Sequence, residues 1–254
     1  MNLKSFGCSL IYGSELSDEK VRTPLNQTAI NKHSLLTWPA HLAHHLGYSY
    51  RCHARPGSGN LQIAERVLTQ LAADVANNKS AFYVIGWSLI DRFDYVDIHD
   101  IQDSRWLDDP DEPRPGWVWC KQASLPWLTI RPTETDHTSK IYYSKIHSEA
   151  RDKLTTLMNI KLVIDTLQQK NYPFVMTYED GLIFDQRWHT SPAIIALQEY
   201  VKPYMTTFDG DTFVDFAKKN GYPITSIGHP LEQAHAAASE SMIKVFDTQN
   251  TNVR

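Results

Sequence analysis

Two segments near opposite ends of the chain carry residue types that could together perform acyl transfer. Ser9 lies in a turn directly after an apolar run, and His229 stands before Pro230 at the predicted start of the last helix. A neutral imidazole can take the proton of a serine hydroxyl as that oxygen attacks a carbonyl, whatever the separation of the two residues in sequence. The pair therefore predicts a serine nucleophile and a histidine base, provided that folding brings the two ends of the chain together.

Two further turns lie between these ends, each at the exit of a predicted strand. Ser58-Gly59-Asn60 follows the second strand, and Gly86-Trp87-Ser88 closes the third. With the turn at Ser9 and the His-Pro pair at 229, these short blocks resemble the SGNH (GDSL-type) hydrolases in order and spacing. The resemblance extends from Ser9 to His235, so it spans nearly the whole chain, and a small number of residues carries it.

The resemblance implies a role for each matched residue. Ser9 matches the nucleophile of the family and His229 matches its base. Gly59 matches the glycine whose N–H joins that of the nucleophile in an oxyanion hole, and Ser88 occupies the position of the asparagine that gives a third donor. Each such donor typically contributes ~3 kcal/mol to the stabilisation of the transition state. The implied oxyanion hole therefore consists of Ser9, Gly59 and Ser88.

The sequence departs from the family pattern at four matched positions, one of which is Ala234, in place of the glycine before the second histidine. Cys8 replaces an aspartate beside the nucleophile, Ser88 replaces the third-block asparagine, and Ser226 replaces the aspartate that orients the histidine. A backbone carbonyl or a carboxylate from elsewhere can partly hold an imidazole in the required tautomer. The acidic residues close to His229 in sequence are Asp209, Asp211 and Asp215. These departures leave open a catalytically decayed protein that binds a small molecule or glycan.

The expected activity is that of a serine esterase that acts on small acyl esters, O-acetyl sugars among them. An acyltransferase would use the same site, and the acceptor that is admitted decides between the two. Neither reaction needs a cofactor, so none is expected. Arg92 could bind a substrate carboxylate or form a salt bridge with Asp91, Asp94 or a more distant acid. His235 is more often structural than substrate-binding. The candidate substrate contacts are Cys8, Asn60, Trp87, Arg92 and His235.

Three histidines on one predicted helix suggest a metal site at first reading. His41, His44 and His45 are three and four residues apart, a spacing that shares a helix face. The sequence lacks the glutamate of a His-Glu-x-x-His motif, and three histidines on a polar face are usually solvated. We therefore expect no metal ion here.

Alternating apolar segments predict the elements that must position these residues. Four segments have the apolar continuity of buried parallel strands, namely 3–8, 48–54, 81–86 and 174–178. Helical periodicity covers 34–46, 61–75 and 144–169, and a last helix runs from about Pro230 through Ile243. This alternation predicts an α/β fold with a three-layer, doubly wound, mostly parallel sheet of the flavodoxin-like type. Its ligand crevice lies at the carboxyl ends of the strands, where Ser9, Gly59 and Ser88 are found.

The stretch 89–140 has no clear periodicity and is rich in tryptophan, including Trp117, Trp119 and Trp127. A connection of this length is usually a functional cover or a disordered segment. We expect an insertion that covers the crevice, or a surface excursion whose tryptophans pack on the body. The rest of residues 1–254 is expected to form one domain with it.

The composition of the chain excludes several classes of protein. The chain is 42% hydrophobic and has a formal net charge of −4, which gives no electrostatic footprint for nucleic acid. The cysteines Cys8, Cys52 and Cys120 are odd in number and scattered, as expected in a reducing compartment. No apolar run approaches a membrane span, and no secretory signal pattern opens the chain. We therefore expect a cytoplasmic protein, and nothing in the sequence indicates its oligomeric state.

Overall fold

A computed structural model of the protein describes residues 1–19, 32–96 and 127–251. Its strands are β1 (Asn2–Phe6), β2 (Ser49–Cys52), β3 (Ala81–Trp87), β4 (Phe93–Val96), β5 (Trp127–Ile130) and β6 (Phe174–Tyr178). Four of them form a parallel sheet in the order β2-β1-β3-β6. After β1 the chain therefore adds β2 on one side of that strand and then crosses over to add β3 on its other side. The crevice of such a doubly wound sheet opens where the order reverses, at the carboxyl end of β1.

Helices cover both faces of this sheet. They are α1 (Ser9–Tyr12), α2 (Trp38–His45), α3 (Asn60–Ala76), α4 (His137–Ile141), α5 (Glu149–Gln169), α6 (Pro192–Val201), α7 (Phe213–Lys219) and α8 (Glu232–Thr251). Phe82 and Val84 of β3 join a core with α2 and α8, whereas Tyr83 and Ile85 join a second core with α3 and α5. Because adjacent strand residues point to opposite faces, the continuous apolar run of β3 supplies both cores. The predicted three-layer α/β fold is confirmed.

The predicted elements agree with the structure in type and differ at their ends. All four predicted sheet strands are present, and the helix predicted over 61–75 is α3. The helix predicted from 34 begins at Trp38, where Pro39 occupies the first turn. Only the part of 144–169 from Glu149 onward is α-helical, because a π-helical turn ends at Ile146. The last helix begins at Glu232, just after Pro230.

The insertion over 89–140 has regular structure at its base, which periodicity did not reveal. Phe93–Val96 pairs in antiparallel fashion with Trp127–Ile130. Residues 97–126, with Trp117 and Trp119, lie outside the described residues, so the predicted cover stays a prediction. Within residues 1–19, 32–96 and 127–251, no helix combines the length and the apolar character needed to cross a membrane.

One buried carboxylate joins this hairpin to the body of the protein. Asp94 of β4 accepts hydrogen bonds from the backbone N–H of Gly59 at 3.0 Å and of Gln62 at 2.9 Å. It also accepts one from the Thr129 hydroxyl of β5 at 2.6 Å. These two N–H groups belong to the start of α3, which has no capping side chain of its own. Asp94 therefore caps α3 from a distance and fixes the hairpin beside the second candidate turn.

Candidate active site

Ser9 is the first residue of α1 and stands at the carboxyl end of β1. The backbone before Ser9 packs closely against α1 and β3. A Cβ on Gly7 would lie 2.5 Å from Ile11 Cγ1 and 3.0 Å from the Gly86 carbonyl oxygen. α1 therefore lies directly on the sheet. Within the described residues, the Ser9 hydroxyl has one polar contact, with Cys8 Sγ at 3.6 Å. The Ser9 backbone N–H has no acceptor there, as expected in the first turn of a helix.

His229 is held by a carboxylate that the sequence analysis did not identify. Its Nδ1 lies 2.8 Å from Glu15 Oε2, and the same oxygen accepts the Thr225 hydroxyl at 2.7 Å. The backbone N–H of His229 in turn donates to Thr225 Oγ1 at 3.1 Å. A carboxylate only accepts hydrogen bonds, so Nδ1 carries the ring proton and the lone pair of the neutral ring is on Nε2. This is the tautomer that a general base requires.

Glu15 adopts an unusual backbone conformation in this pair. Its φ is +69°, in the left-handed region that a residue with a Cβ occupies at a cost of about 1 kcal/mol or more. Such strain persists where surrounding contacts over-determine it, and it is concentrated at functional sites. Here the contacts are those of the Glu15 carboxylate with His229 and Thr225 and that of its backbone N–H with Glu19, which hold Glu15 beside the ring.

The nucleophile turn and the histidine pair are linked through the backbone. The carbonyl oxygen of Ser9 accepts hydrogen bonds from Gly13 at 2.8 Å and Ser14 at 3.1 Å, and Glu15 follows directly. The two ends of the chain therefore meet at one edge of the sheet. In the part of the chain that the structure describes, no hydrogen bond joins the Ser9 hydroxyl to the His229 ring, and Nε2 has no partner.

The acids that were considered for the orienting role make other contacts. Asp209 accepts from Ser241, and Asp211 pairs with Lys219. Asp215 accepts from Thr212 at the start of α7. None of them contacts the imidazole. The interpretation from sequence proximity was wrong, and the carboxylate comes from a residue 214 positions away.

Two groups expected in the oxyanion hole are engaged elsewhere. The Gly59 N–H donates to Asp94 at 3.0 Å. Ser88 is completely buried, and its hydroxyl accepts a hydrogen bond from Arg92 Nη1 at 2.7 Å. Among the described residues the Gly59 N–H therefore has an acceptor, whereas the Ser9 N–H has none and the Ser88 hydroxyl only accepts.

Arg92 lies beside the nucleophile turn in a polar cluster. Its Nη1 also donates to the Ser58 carbonyl at 3.0 Å, and its charge interacts with the side chains of Cys8 and Glu179. The Cys8 thiol donates to Glu179 Oε1 at 2.9 Å. Burial, followed by the Glu179 charge, raises the pKa of this thiol, so it stays protonated and is not an activated nucleophile. The guanidinium is thus the cation nearest to the Ser9 turn in this cluster.

Three predicted substrate contacts are used within the fold instead. Asn60 accepts from the Ser88 N–H at 2.7 Å and donates to the Ser88 carbonyl at 3.0 Å, which fixes the third turn. Trp87 is fully buried, with its Nε1 on Met176. His235 is 1% exposed, and its Nδ1 accepts the Trp38 N–H at 3.1 Å. All three side chains are buried and bond within the protein, so these residues support the site from inside the fold.

Burial makes His235 a source of acid sensitivity. Desolvation lowers the pKa of His235 to about 3 from an ordinary value of 6.5, so the unfolded chain binds a proton between these values and the folded protein does not. The free energy of unfolding therefore decreases as pH falls through this window, by up to ~1.4 kcal/mol per pH unit from this group.

In His235→Asn the side-chain oxygen can still accept the Trp38 N–H, but the titrating group is absent. We expect urea denaturation at pH 7 and at pH 5 to show a smaller loss of stability for this variant than for the wild type. His53, whose pKa burial lowers to about 4, contributes equally to both proteins. Parallel losses in the two proteins would contradict the assignment.

In the three described ranges, no set of three or more histidine, cysteine, aspartate or glutamate side chains could hold a metal ion. His41, His44 and His45 lie on α2 and are not part of any such set.

No protein-family model and no curated protein matches the sequence. Among solved structures, the chain is similar to a lipolytic protein of the G-D-S-L family from Veillonella parvula, with 11% identity, a TM-score of 0.48, and coverage of 97% of this chain and 98% of that one. The chain is also similar to the psychrotrophic esterase EstA from Pseudoalteromonas sp., with 8% identity and a TM-score of 0.49, over 98% of this chain and 98% of that one. A third similar structure is an acetyl xylan esterase from Geobacillus stearothermophilus, with 12% identity and a TM-score of 0.42, over 96% of this chain and 93% of that one. The likeness thus extends over nearly the full length of the chain.

Proposed function

We propose that the protein is a serine esterase that hydrolyses small acyl esters, O-acetyl sugars among them, through an acyl-enzyme on Ser9. The observation that carries this proposal is the His229 ring, held at Nδ1 by Glu15 and, within the described residues, unengaged at Nε2. A histidine in this state is ready to accept a proton. Ser9 supplies the hydroxyl at the same edge of the sheet, in the turn that leads to Glu15.

The reaction begins when Ser9 Oγ forms a bond to the ester carbonyl carbon and its proton passes to His229 Nε2. Glu15 stabilises the imidazolium that results. Collapse of the tetrahedral intermediate breaks the bond to the alcohol oxygen, which takes the proton back from Nε2 and leaves. Water then attacks the acyl-enzyme by the same proton route and releases the acid. Another hydroxyl in place of water would give acyl transfer.

The negative charge on the carbonyl oxygen is stabilised by the Ser9 N–H and the Arg92 guanidinium. The first has no competing acceptor among the described residues, and the second interacts with Cys8, the residue before Ser9. Arg92 takes the part that the family resemblance gave to Ser88, whose buried hydroxyl is the acceptor of an Arg92 hydrogen bond. A charged donor is roughly twice as strong as a neutral one, which compensates for the loss of the Gly59 N–H to Asp94.

A fluorophosphonate probe tests this proposal directly. Attack of an activated Ser9 Oγ on phosphorus forms a stable O–P bond and expels fluoride, so intact mass spectrometry should show one adduct per chain. Ser9→Ala should abolish the adduct. The matched control is Ser14→Ala, since Ser14 stands one turn further on and touches Ser9 through its backbone only. The same preparations should hydrolyse p-nitrophenyl acetate in parallel with labelling.

Absence of an adduct on the folded wild-type protein would reject the esterase. That result would favour the decayed protein that binds a small molecule or glycan. Labelling that survives in Ser9→Ala would equally reject Ser9 as the nucleophile. If labelling succeeds, product analysis with an added sugar alcohol distinguishes hydrolysis from acyl transfer.

A further inference from the structure

Glu179 is a carboxylate beside the nucleophile turn that the proposed mechanism does not use. It follows β6 directly, and its backbone N–H donates to the Trp87 carbonyl at 3.0 Å, which extends the pairing of β6 with β3 by one residue. Its side chain accepts the Cys8 thiol at 2.9 Å. Because β3 lies between β1 and β6 in the sheet, this contact reaches over the end of β3 to the turn that holds Ser9.

The charges around this contact decide which partner holds the hydrogen. The titratable and charged groups that face Glu179 are Cys8, Arg92 and Asp180. Burial raises the pKa of Glu179, and the Asp180 charge adds to this, whereas the Arg92 charge and the hydrogen bond from Cys8 favour the ionised carboxylate. Burial and then the Glu179 charge raise the pKa of the Cys8 thiol. The hydrogen therefore belongs to sulfur, and Glu179 accepts it.

A thiol has a single hydrogen, and this decides the direction of the neighbouring contact. Cys8 gives its hydrogen to Glu179, so its sulfur can only accept in the contact with Ser9 Oγ, which lies 3.6 Å away. The Ser9 hydroxyl is therefore the donor. Its proton lies toward a weak acceptor, and no side chain of the described residues donates to the lone pairs of Oγ.

We propose that Glu179 is a positioning residue for the nucleophile, which acts through Cys8 by keeping the thiol hydrogen away from Ser9 Oγ. This proposal rests on the assignment of Ser9 as the nucleophile. A hydrogen bond from the thiol to Oγ would engage a lone pair that has to attack the carbonyl carbon. Since sulfur is a weak acceptor, it also gives up the Ser9 proton readily when His229 takes it.

Two substitutions of Glu179 separate this role from the effect of its charge. Glu179→Gln and Glu179→Leu both remove the negative charge near Arg92, but only the amide keeps an oxygen that can accept the thiol hydrogen. We expect Glu179→Leu to lower kcat for p-nitrophenyl acetate by about tenfold with little change in KM, because the released S–H turns to Ser9 Oγ. Glu179→Gln should stay within about threefold of the wild type.

The same two substitutions in a Cys8→Ala background test whether the effect passes through the thiol. Without a thiol hydrogen to direct, Glu179→Leu and Glu179→Gln should give the same kcat. A purely structural contribution of Glu179 would appear in both backgrounds. Equal kcat for the two substitutions when Cys8 is present, or an equal difference between them with and without the thiol, would overturn the proposal.

The infrared S–H stretching band of Cys8 tests the hydrogen bond without any ester. The difference spectrum between the wild type and Cys8→Ala identifies this band among those of the three cysteines. The band should move to higher wavenumber in Glu179→Leu. In the wild type it should move in the same direction as pH falls through the pKa of Glu179, which burial raises above its ordinary value of 4.5, because a neutral carboxyl is the weaker acceptor.

A Cys8 band at the same position in the wild type and in Glu179→Leu would overturn the proposal. If Glu179→Leu does not fold, the titration of the wild type decides, and a band that is independent of pH would overturn the proposal equally. Expected band shifts without a fluorophosphonate adduct on Ser9 would reject the esterase, and with it the role of Glu179, but would retain the hydrogen bond from Cys8. Failure of the positioning role and failure of the esterase are therefore separate results.

Discussion

Glu15→Gln should lower kcat for ester hydrolysis by roughly 10²- to 10⁴-fold with little change in KM. The amide cannot stabilise the imidazolium. It also presents an NH2 group to Nδ1, which favours the tautomer whose proton is on Nε2 and so removes the lone pair that accepts the Ser9 proton. The Glu15 side chain is 40% exposed, and water screens part of its charge, so the lower half of this range is expected.

Glu19→Gln is the matched control for this experiment. The Glu19 carboxylate accepts the backbone N–H of Glu15 at 2.6 Å and makes no contact with the ring. It should therefore leave kcat within a few-fold of the wild type. Circular dichroism and Tm establish that both variants are folded. A Glu15→Gln enzyme with wild-type kcat would show that the imidazole needs no carboxylate and would remove Glu15 from the mechanism.

The parts of the fold that sequence could predict are those with local signals. The run over 81–86 is apolar at every position, and this is the pattern of a strand buried on both faces. Ser9, Gly59 and Ser88 were placed at one edge by a general rule, because the turns that follow parallel strands share the carboxyl side of the sheet. Periodicity also identified α3, whose apolar residues repeat along one face. Each of these inferences used residues close to one another in the chain.

What sequence could not predict depends on contacts between distant residues. Glu15 and His229 are 214 positions apart, and no local sequence pattern around either residue predicts that they form a pair. The strands β4 and β5 were missed because their pairing joins two short segments across 97–126. The same pairing places Asp94 on Gly59, which takes the N–H that the resemblance assigned to the oxyanion hole. The sequence therefore predicted the turn at Ser9 and the histidine, but it did not identify the carboxylate that contacts the histidine.

Gly59→Ala should lower the free energy of unfolding by about 2 to 4 kcal/mol. The new Cβ would stand 2.5 Å and 2.6 Å from the two carboxylate oxygens of Asp94. A flexible side chain could move away, but this one is buried and held by three hydrogen bonds. Displacing it would uncap α3 and release Thr129. Gly181→Ala is the matched control, because nothing lies within 4 Å of its Cβ, and urea denaturation should find it nearly neutral.

A double-mutant cycle with Asp94→Ala tests the cause of that loss. If the methyl group is harmful because it collides with the carboxylate, then adding Gly59→Ala to Asp94→Ala should cost well under half of what it costs in the wild type. Asp94→Ala alone should also be destabilising, since it leaves the N–H groups of Gly59 and Gln62 without their buried acceptor. An additive cycle would mean that Gly59 is required for a reason other than Asp94. Strong coupling would establish that the base of the insertion is fastened to the start of α3 through this carboxylate.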